Sequence, residues 1–145
     1  MKELTFSDCK KIYSFAEEIS EDARDIIESI ANEENDFQIG DYRFINESEI
    51  DEIQIEEMES DPYILGGFND WFIADNTDLS LDIVKALQSA EKYEAIGQHI
   101  IDGNYTKTMQ LEYSRLDGYG HHFSGYDGET REDLLDLGYY CFRTN

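Results

Sequence analysis

Residues 46–61 read NESEIDEIQIEEMESD, eight carboxylates with no Lys or Arg among them. Such a run does not fit a core, because an ionised carboxylate taken out of water needs a cation or a full set of donors in exchange. It folds as a surface element with one apolar side. Ile50, Ile53 and Met58 offer that side at helical spacing, with Ile55 between the faces. At about 100° per residue, Glu49, Glu52, Glu56 and Glu59 fall on one stripe facing away from Ile50 and Ile53.

The rest of the chain is rich enough to build a core. Of 145 residues, 40% are hydrophobic and 13% aromatic, which excludes a disordered acidic tail. One Pro and ten Gly argue against long linkers, and the length suits a single domain over 1–145. The outlier is charge: 34 acids against 11 Lys and Arg, a formal −23. Self-repulsion at that density costs stability, and the field repels nucleic acid and anionic membranes while attracting basic surfaces. Direct nucleic-acid or membrane binding is therefore not expected.

Cys9 and Cys141 lie at opposite ends of the chain and make no disulfide framework, which points to a reducing, cytoplasmic setting; a bridge between them would join the two ends. No N-terminal apolar leader and no run of about 18 apolar residues is present, so a soluble intracellular protein is expected.

Along the chain, Ser7 reads as the N-cap of a helix over 7–19 with Ile12, Phe15, Ala16 and Ile19 on one face. Ser20 opens a second helix over 21–33, apolar at Ala23, Ile26, Ile27 and Ile30, with Glu21, Asp25 and Glu28 on the opposite face. Residues 36–40 and 41–45 pair as short strands. Asp61-Pro62 starts a helix that is apolar almost all round through residue 75, which predicts a central, buried element; a strand–turn–strand is the alternative. Gly66-Gly67 inside it would let another element approach closely. Further helices run from Ser80 to about Ala90, over 91–102 and over 105–116. Residues 117–129 interleave Gly with Tyr119, His121, His122, Phe123 and Tyr126, which predicts a structured loop or bulged strand. Residues 139–143 close the chain as a strand able to pair with 42–45. The fold class is α+β, mostly helical, with a small antiparallel sheet.

The acids are not evenly spread. Between Glu17 and Asp61 there are 18, against Arg24 and Arg43 alone. Halophilic adaptation would spread acids evenly and deplete large apolar residues, which this chain keeps. Seven carboxylates from Glu47 to Glu59 on a helix rising about 1.5 Å per residue cover roughly 20 Å, or about one per 3 Å. One strand of B-DNA presents a phosphate about every 3.4 Å. The plain alternative is that the stripes are only solvated faces.

No metal or catalytic signature accompanies them. His99, His121, His122 and Cys141 have no zinc-type spacing. Residues 75–82 and 127–133 are acid-rich but lack the EF-hand pattern. There is no GxSxG elbow, Walker loop or dinucleotide fingerprint. No cofactor, metal or catalytic residue is assigned, and the expectation is a protein that is not an enzyme.

In size, charge and acidic helices such as EDARDIIES and NESEIDEIQIEEME, the chain resembles the small acidic anti-defence proteins of phages and mobile elements, the anti-CRISPR and anti-restriction DNA mimics. That resemblance implies an inhibitor that occupies the basic channel of a nucleic-acid-binding host defence complex, a Cas effector or a restriction–modification system, through Glu21, Asp25, Glu28, Glu49, Glu52, Glu56 and Glu59. Tyr119, Phe123 and Tyr126 would add secondary contacts, since aromatics make good interface anchors. A second reading is a phage-type interaction module docking through 117–128, its acidity serving only solubility. A third is a small enzyme or metal protein. The oligomeric state, with a homodimer as one option, is left open.

Overall fold

The computed structural model describes all 145 residues. Nine helices and three strands follow in the order α1 (Phe6–Ile19), α2 (Ala23–Ala31), β1 (Asp36–Ile39), β2 (Tyr42–Asn46), α3 (Ile50–Glu59), α4 (Pro62–Gly66), α5 (Asp70–Asn76), α6 (Leu81–Ser89), α7 (Tyr93–Asp102), α8 (Thr106–Asp117), α9 (Tyr119–Phe123) and β3 (Tyr139–Arg143). The α+β expectation holds: the chain is mostly helical, with one three-stranded antiparallel sheet in the order β1-β2-β3. No helix is long and apolar enough to cross a membrane. The chain divides into two compact units, one of residues 1–50 and 117–145, the other of residues 51–116. Neither boundary carries a linker. One falls in the first turn of α3 and the other at the end of α8.

In the first unit, α1 starts at a capping box. Thr5 Oγ1 accepts from Asp8 N, and the Asp8 carboxylate accepts from Thr5 N, both at 3.0 Å. This places the cap two residues before Ser7. Ser20 does not open a helix. It closes α1 in the left-handed region at φ 60, and α2 begins from Asp22, whose carboxylate accepts from Arg24 N at 2.9 Å. The buried face of α1 is Ile12, Phe15, Ala16 and Ile19, as its periodicity predicts. With Ile26 and Ile30 of α2 it packs on Tyr42, Phe44, Tyr139 and Cys141, which share one sheet face. Phe37 of β1 stacks on Phe44 with centroids 4.9 Å apart.

The strand pairings also follow the sequence. β1 and β2 join through a two-residue turn with Gly40 at φ +56. β2 pairs with β3 from Tyr42↔Arg143 to Asn46↔Tyr139. Residues 117–129, expected as a loop or bulged strand, instead open with the five-residue helix α9. Gly118 at φ +78 turns the chain into it, and Gly120 lies where any side chain would strike the backbone of Gly128 and Glu129. A tight turn follows, gathered on Ser124: its Oγ accepts from Asp127 N and Gly128 N and donates to Arg143 O at 2.8 Å.

The second unit is helical, built around Met58, Leu65, Ile73, Val84, Ile96, Ile100 and Met109. The stretch 62–75 is not one buried helix. It breaks at Gly67–Asn69, where the Asn69 side chain accepts from Trp71 N and Phe72 N and starts α5. Two short helices cannot bury an apolar surface on every side, so Leu65 and Ile73 face the core while Ile64 and Trp71 stay exposed. The close approach expected at Gly66-Gly67 is present. A side chain on Gly66 would strike Tyr93 O, and one on Gly97 would strike Pro62 O, so α4 and α7 cross backbone to backbone.

That crossing gives a graded prediction. Gly66→Ala and Gly97→Ala should each lower the unfolding free energy by about 1–3 kcal/mol, because rigid backbone cannot yield to the added methyl. Gly67→Ala, whose Cβ would meet only ordinary contacts from 3.4 Å outward, should be close to neutral. Urea unfolding of the three variants checks the order.

Candidate partner-binding surface

The acidic helix is shorter than its sequence suggests. Glu47 and Glu49 precede α3 in a turn in which Asn46 Oδ1 accepts from Ser48 N at 2.9 Å. From Ile50 the buried positions are Ile50, Gln54 and Met58, spaced by four. Ile53, expected on that face, is only half-buried. Gln54 takes its place at 0% exposure.

This rotation redistributes the expected stripe. Glu52 and Glu56 are exposed, while Glu49 and Glu59 are half-buried. Glu59 Oε2 accepts from Thr106 Oγ1 of α8 at 2.9 Å. On the other flank, Asp51 Oδ1 accepts from Gln110 Nε2 at 2.8 Å, and Gln110 Nε2 also donates to Gln54 Oε1 at 3.0 Å. These donors on α8 are neutral. A hydroxyl or amide holds a carboxylate in place without cancelling its charge, so α3 is anchored while its field persists. The anchor is imperfect: Gln54 Nε2 and Gln110 Oε1 are buried without a hydrogen-bond partner, at about 1–3 kcal/mol each.

The second stripe separates into different roles. Asp25 and Glu28 are exposed on α2. Glu21 lies before the helix, and its Oε2 accepts from Asp41 N at 3.1 Å, its carboxyl filling the space beside Gly40. It therefore braces the β1–β2 turn. Arg24, exposed on α2 itself and paired with Asp22 at 3.5 Å, adds a positive charge to that helix, and α3 contains no such residue.

Several basic residues elsewhere are engaged. Lys11 pairs with Asp136 at 2.5 Å, Arg43 with Asp36 at 2.7 Å, Arg131 with Glu18 and Asp133 at 3.0 and 3.1 Å, and Arg115 with Glu112 at 2.8 Å. From Phe44 to Val84 there are 12 acids and no Lys or Arg, and no ion pair reaches Glu52 or Glu56. Several acids outside α3 are held below the usual carboxylate range: Asp22 by the Arg24 backbone N–H, Asp78 by its hydrogen bond to His99, and Asp136 by Lys11.

The aromatic residues of 117–128 differ among themselves. Phe123 is 5% exposed, with Phe142 at 5.1 Å and the Arg43 guanidinium at 5.1 Å from its ring. It is a core residue, not a surface anchor. Tyr119 is half-buried beside Tyr140, at 5.2 Å. Tyr126 is 60% exposed, under the Arg143 guanidinium at 3.7 Å. His99 lies on α7 with Nε2 2.7 Å from Asp78 Oδ1, whereas His121 and His122 lie on α9. Cys9 and Cys141 are unbridged, and burial pushes the Cys141 thiol up to about 12. No three His, Cys, Asp or Glu side chains converge as metal ligands would.

Sequence reasoning missed Thr106, Gln54 and Gln110, the groups that position α3. A signal for Gln54 existed: it lies four residues from both Ile50 and Met58, on their face. Thr106 and Gln110 are polar residues in a helix of weak apolar pattern and carried none. No protein-family model, curated protein or solved structure matches the chain.

Two predictions test this electrostatic picture. Glu52 and Glu56 form a like-charged i, i+4 pair with no partner, so Glu52→Gln with Glu56→Gln should leave the unfolding temperature unchanged or raise it by a few degrees. Asp22→Ala should destabilise the chain at pH 7, and the penalty should fade with acid. A carboxyl whose folded-state pKa lies below its unfolded value of about 4 contributes above pH 4 and loses that contribution as pH falls through the folded value. Thermal unfolding of variant and native chains from pH 7 to 3 reads both.

Proposed function

We propose that the chain is a stoichiometric inhibitor whose acidic surface, centred on α3, stands in for nucleic-acid phosphates toward the basic channel of a nucleic-acid-binding host defence protein. The observation that carries this reading is the state of α3: unpaired carboxylates at Glu52 and Glu56, flanked by acids fixed through neutral donors, in a segment without a base.

The energetics argue for a use outside the fold. Acids in the first turn of a helix suit its dipole, but Glu56 lies toward the C-terminal end, where negative charge is unfavourable. Like charges four apart weaken the helix further. These residues cost stability in isolation, and the cost reverses against a basic surface, where counterions are released from the partner's Lys and Arg. Glu49, Glu52 and Glu56 are the primary contacts, with Glu59 adding field. Asp25 and Glu28 form a weaker second stripe, and Glu21 acts structurally. Inhibition of this kind needs no turnover. The alternative module docking through 117–128 retains Tyr126 as its one well-exposed anchor, which makes it the lesser reading.

Affinity capture from host lysate at low salt, washed at about 0.5 M salt where the Debye length is below roughly 5 Å, tests the proposal. The expected result is a nucleic-acid-binding complex, released by the wash and displaced by its own nucleic acid. Glu49→Lys, Glu52→Lys and Glu56→Lys together should reduce capture at least 100-fold with helicity unchanged. A partner that survives the wash, or capture indifferent to the triple variant, would refute it.

A further inference from the structure

The segment 62–71, which the sequence marks as apolar, is only partly absorbed by the core. Leu65 and Gly66 face inward, and Tyr63 touches Tyr93 at 5.2 Å. Yet Tyr63, Ile64 and Trp71 remain 57, 62 and 59% exposed, on either side of the Gly67–Asn69 break. The break is held from beneath, because Gln88 Nε2 of α6 donates to Gly66 O and Phe68 O at 3.1 and 2.9 Å. Three large apolar side chains within nine residues, on a fixed link, are the kind of anchors that interfaces use. Their neighbours in sequence are Asp61, Asp70 and Asp75, and the hollow beside Tyr63 is lined by Glu91 and Glu94 with one base, Lys92.

We propose that the α4–α5 link is a docking edge for a basic amphipathic segment of a partner protein, whose apolar side chains cover Ile64 and Trp71 while its Lys and Arg meet Asp61, Asp70 and Asp75. Charge decides the occupant. A second copy of this chain carries −23 and would set acid against acid across a contact whose one base, Lys92 beside Tyr63, is flanked by Glu91 and Glu94. A membrane surface of anionic lipid is disfavoured for the same reason. A basic helix or strand satisfies both the apolar and the acidic groups. Its apolar anchors, Ile64 and Trp71, lie outside α3 and the test uses no nucleic acid, so it stands or falls independently of the mimic reading.

Trp71 is the only tryptophan and reports on the edge directly. The probe is an 18-residue helical peptide of Lys and Leu with one apolar face, titrated at about 0.15 M salt, where the Debye length is about 8 Å. Trp71 emission should shift to the blue and saturate. Ile64→Ser, a change at an exposed position whose fold is checked by circular dichroism, should weaken binding about tenfold or more. Glu52→Lys with Glu56→Lys should alter it less than threefold. A peptide of equal charge with Gln in place of Leu should leave the emission unmoved. The proposal is overturned by no shift, by an equal shift with the Gln peptide, by an Ile64→Ser variant that binds as the native chain does, or by a blue shift that grows with protein concentration alone and marks a second copy on the edge.

Discussion

Removing a carboxylate from water costs several kcal/mol unless a cation or donors replace its hydration, and this chain has 34 of them for 11 Lys and Arg. None of the 34 is buried. The interior is apolar apart from Thr106, Gln54 and Gln110, and those three touch acids of α3 directly or through one another. In the first unit, Lys11, Arg24, Arg43 and Arg131 pair with acids at its surface. In the second, three of four Lys and Arg, Lys85, Lys92 and Lys107, make no ion pair, and the chain from 51 to 82 contains no Lys or Arg.

This placement explains features that otherwise look like defects. A polar joint between α3 and α8 leaves two amide atoms unpaired, whereas an apolar joint would have been tighter. An apolar joint would also have removed the neutral donors that orient Asp51 and Glu59. Likewise, α4 and α5 are too short to bury Ile64 and Trp71, and Gly66 and Gly97 fix α4 so closely on α7 that it cannot roll to hide them. In both places the backbone is held firmly by contacts on one side. The other side presents groups for which the fold has no use.

Much of the architecture was legible in the sequence, because it rests on short-range signals. The apolar period of α1, the paired strands of 36–45, the Asp61-Pro62 start and the helix opening at Ser80 each specify local structure with few competitors. The errors came where tertiary contact decided. Ser20 has the chemistry of an N-cap, yet it ends α1 in a left-handed conformation. Phe123 sits in a run that reads as a structured loop or bulged strand offering contacts to a partner, yet it packs on Phe142 of β3. For the candidate surface, the charge of α3 was plain, but its rotation was not. The sequence favoured Ile53 over Gln54 by hydrophobicity, whereas the helix buries Gln54 because Gln110 can hydrogen-bond to it. Which carboxylates face outward depends on that one choice.

The central claim is that negative potential useful to a partner is concentrated on α3 rather than spread over the whole chain. An NMR titration with a short oligolysine at low salt measures this without presupposing the partner's identity. The account predicts that the largest amide shifts cluster between Glu47 and Glu57, with a smaller response at Asp25 and Glu28 and little at the ion-paired acids Asp36, Glu112 and Asp136. Shifts of equal size at acids throughout the chain, or a maximum in residues 127–136, would contradict it.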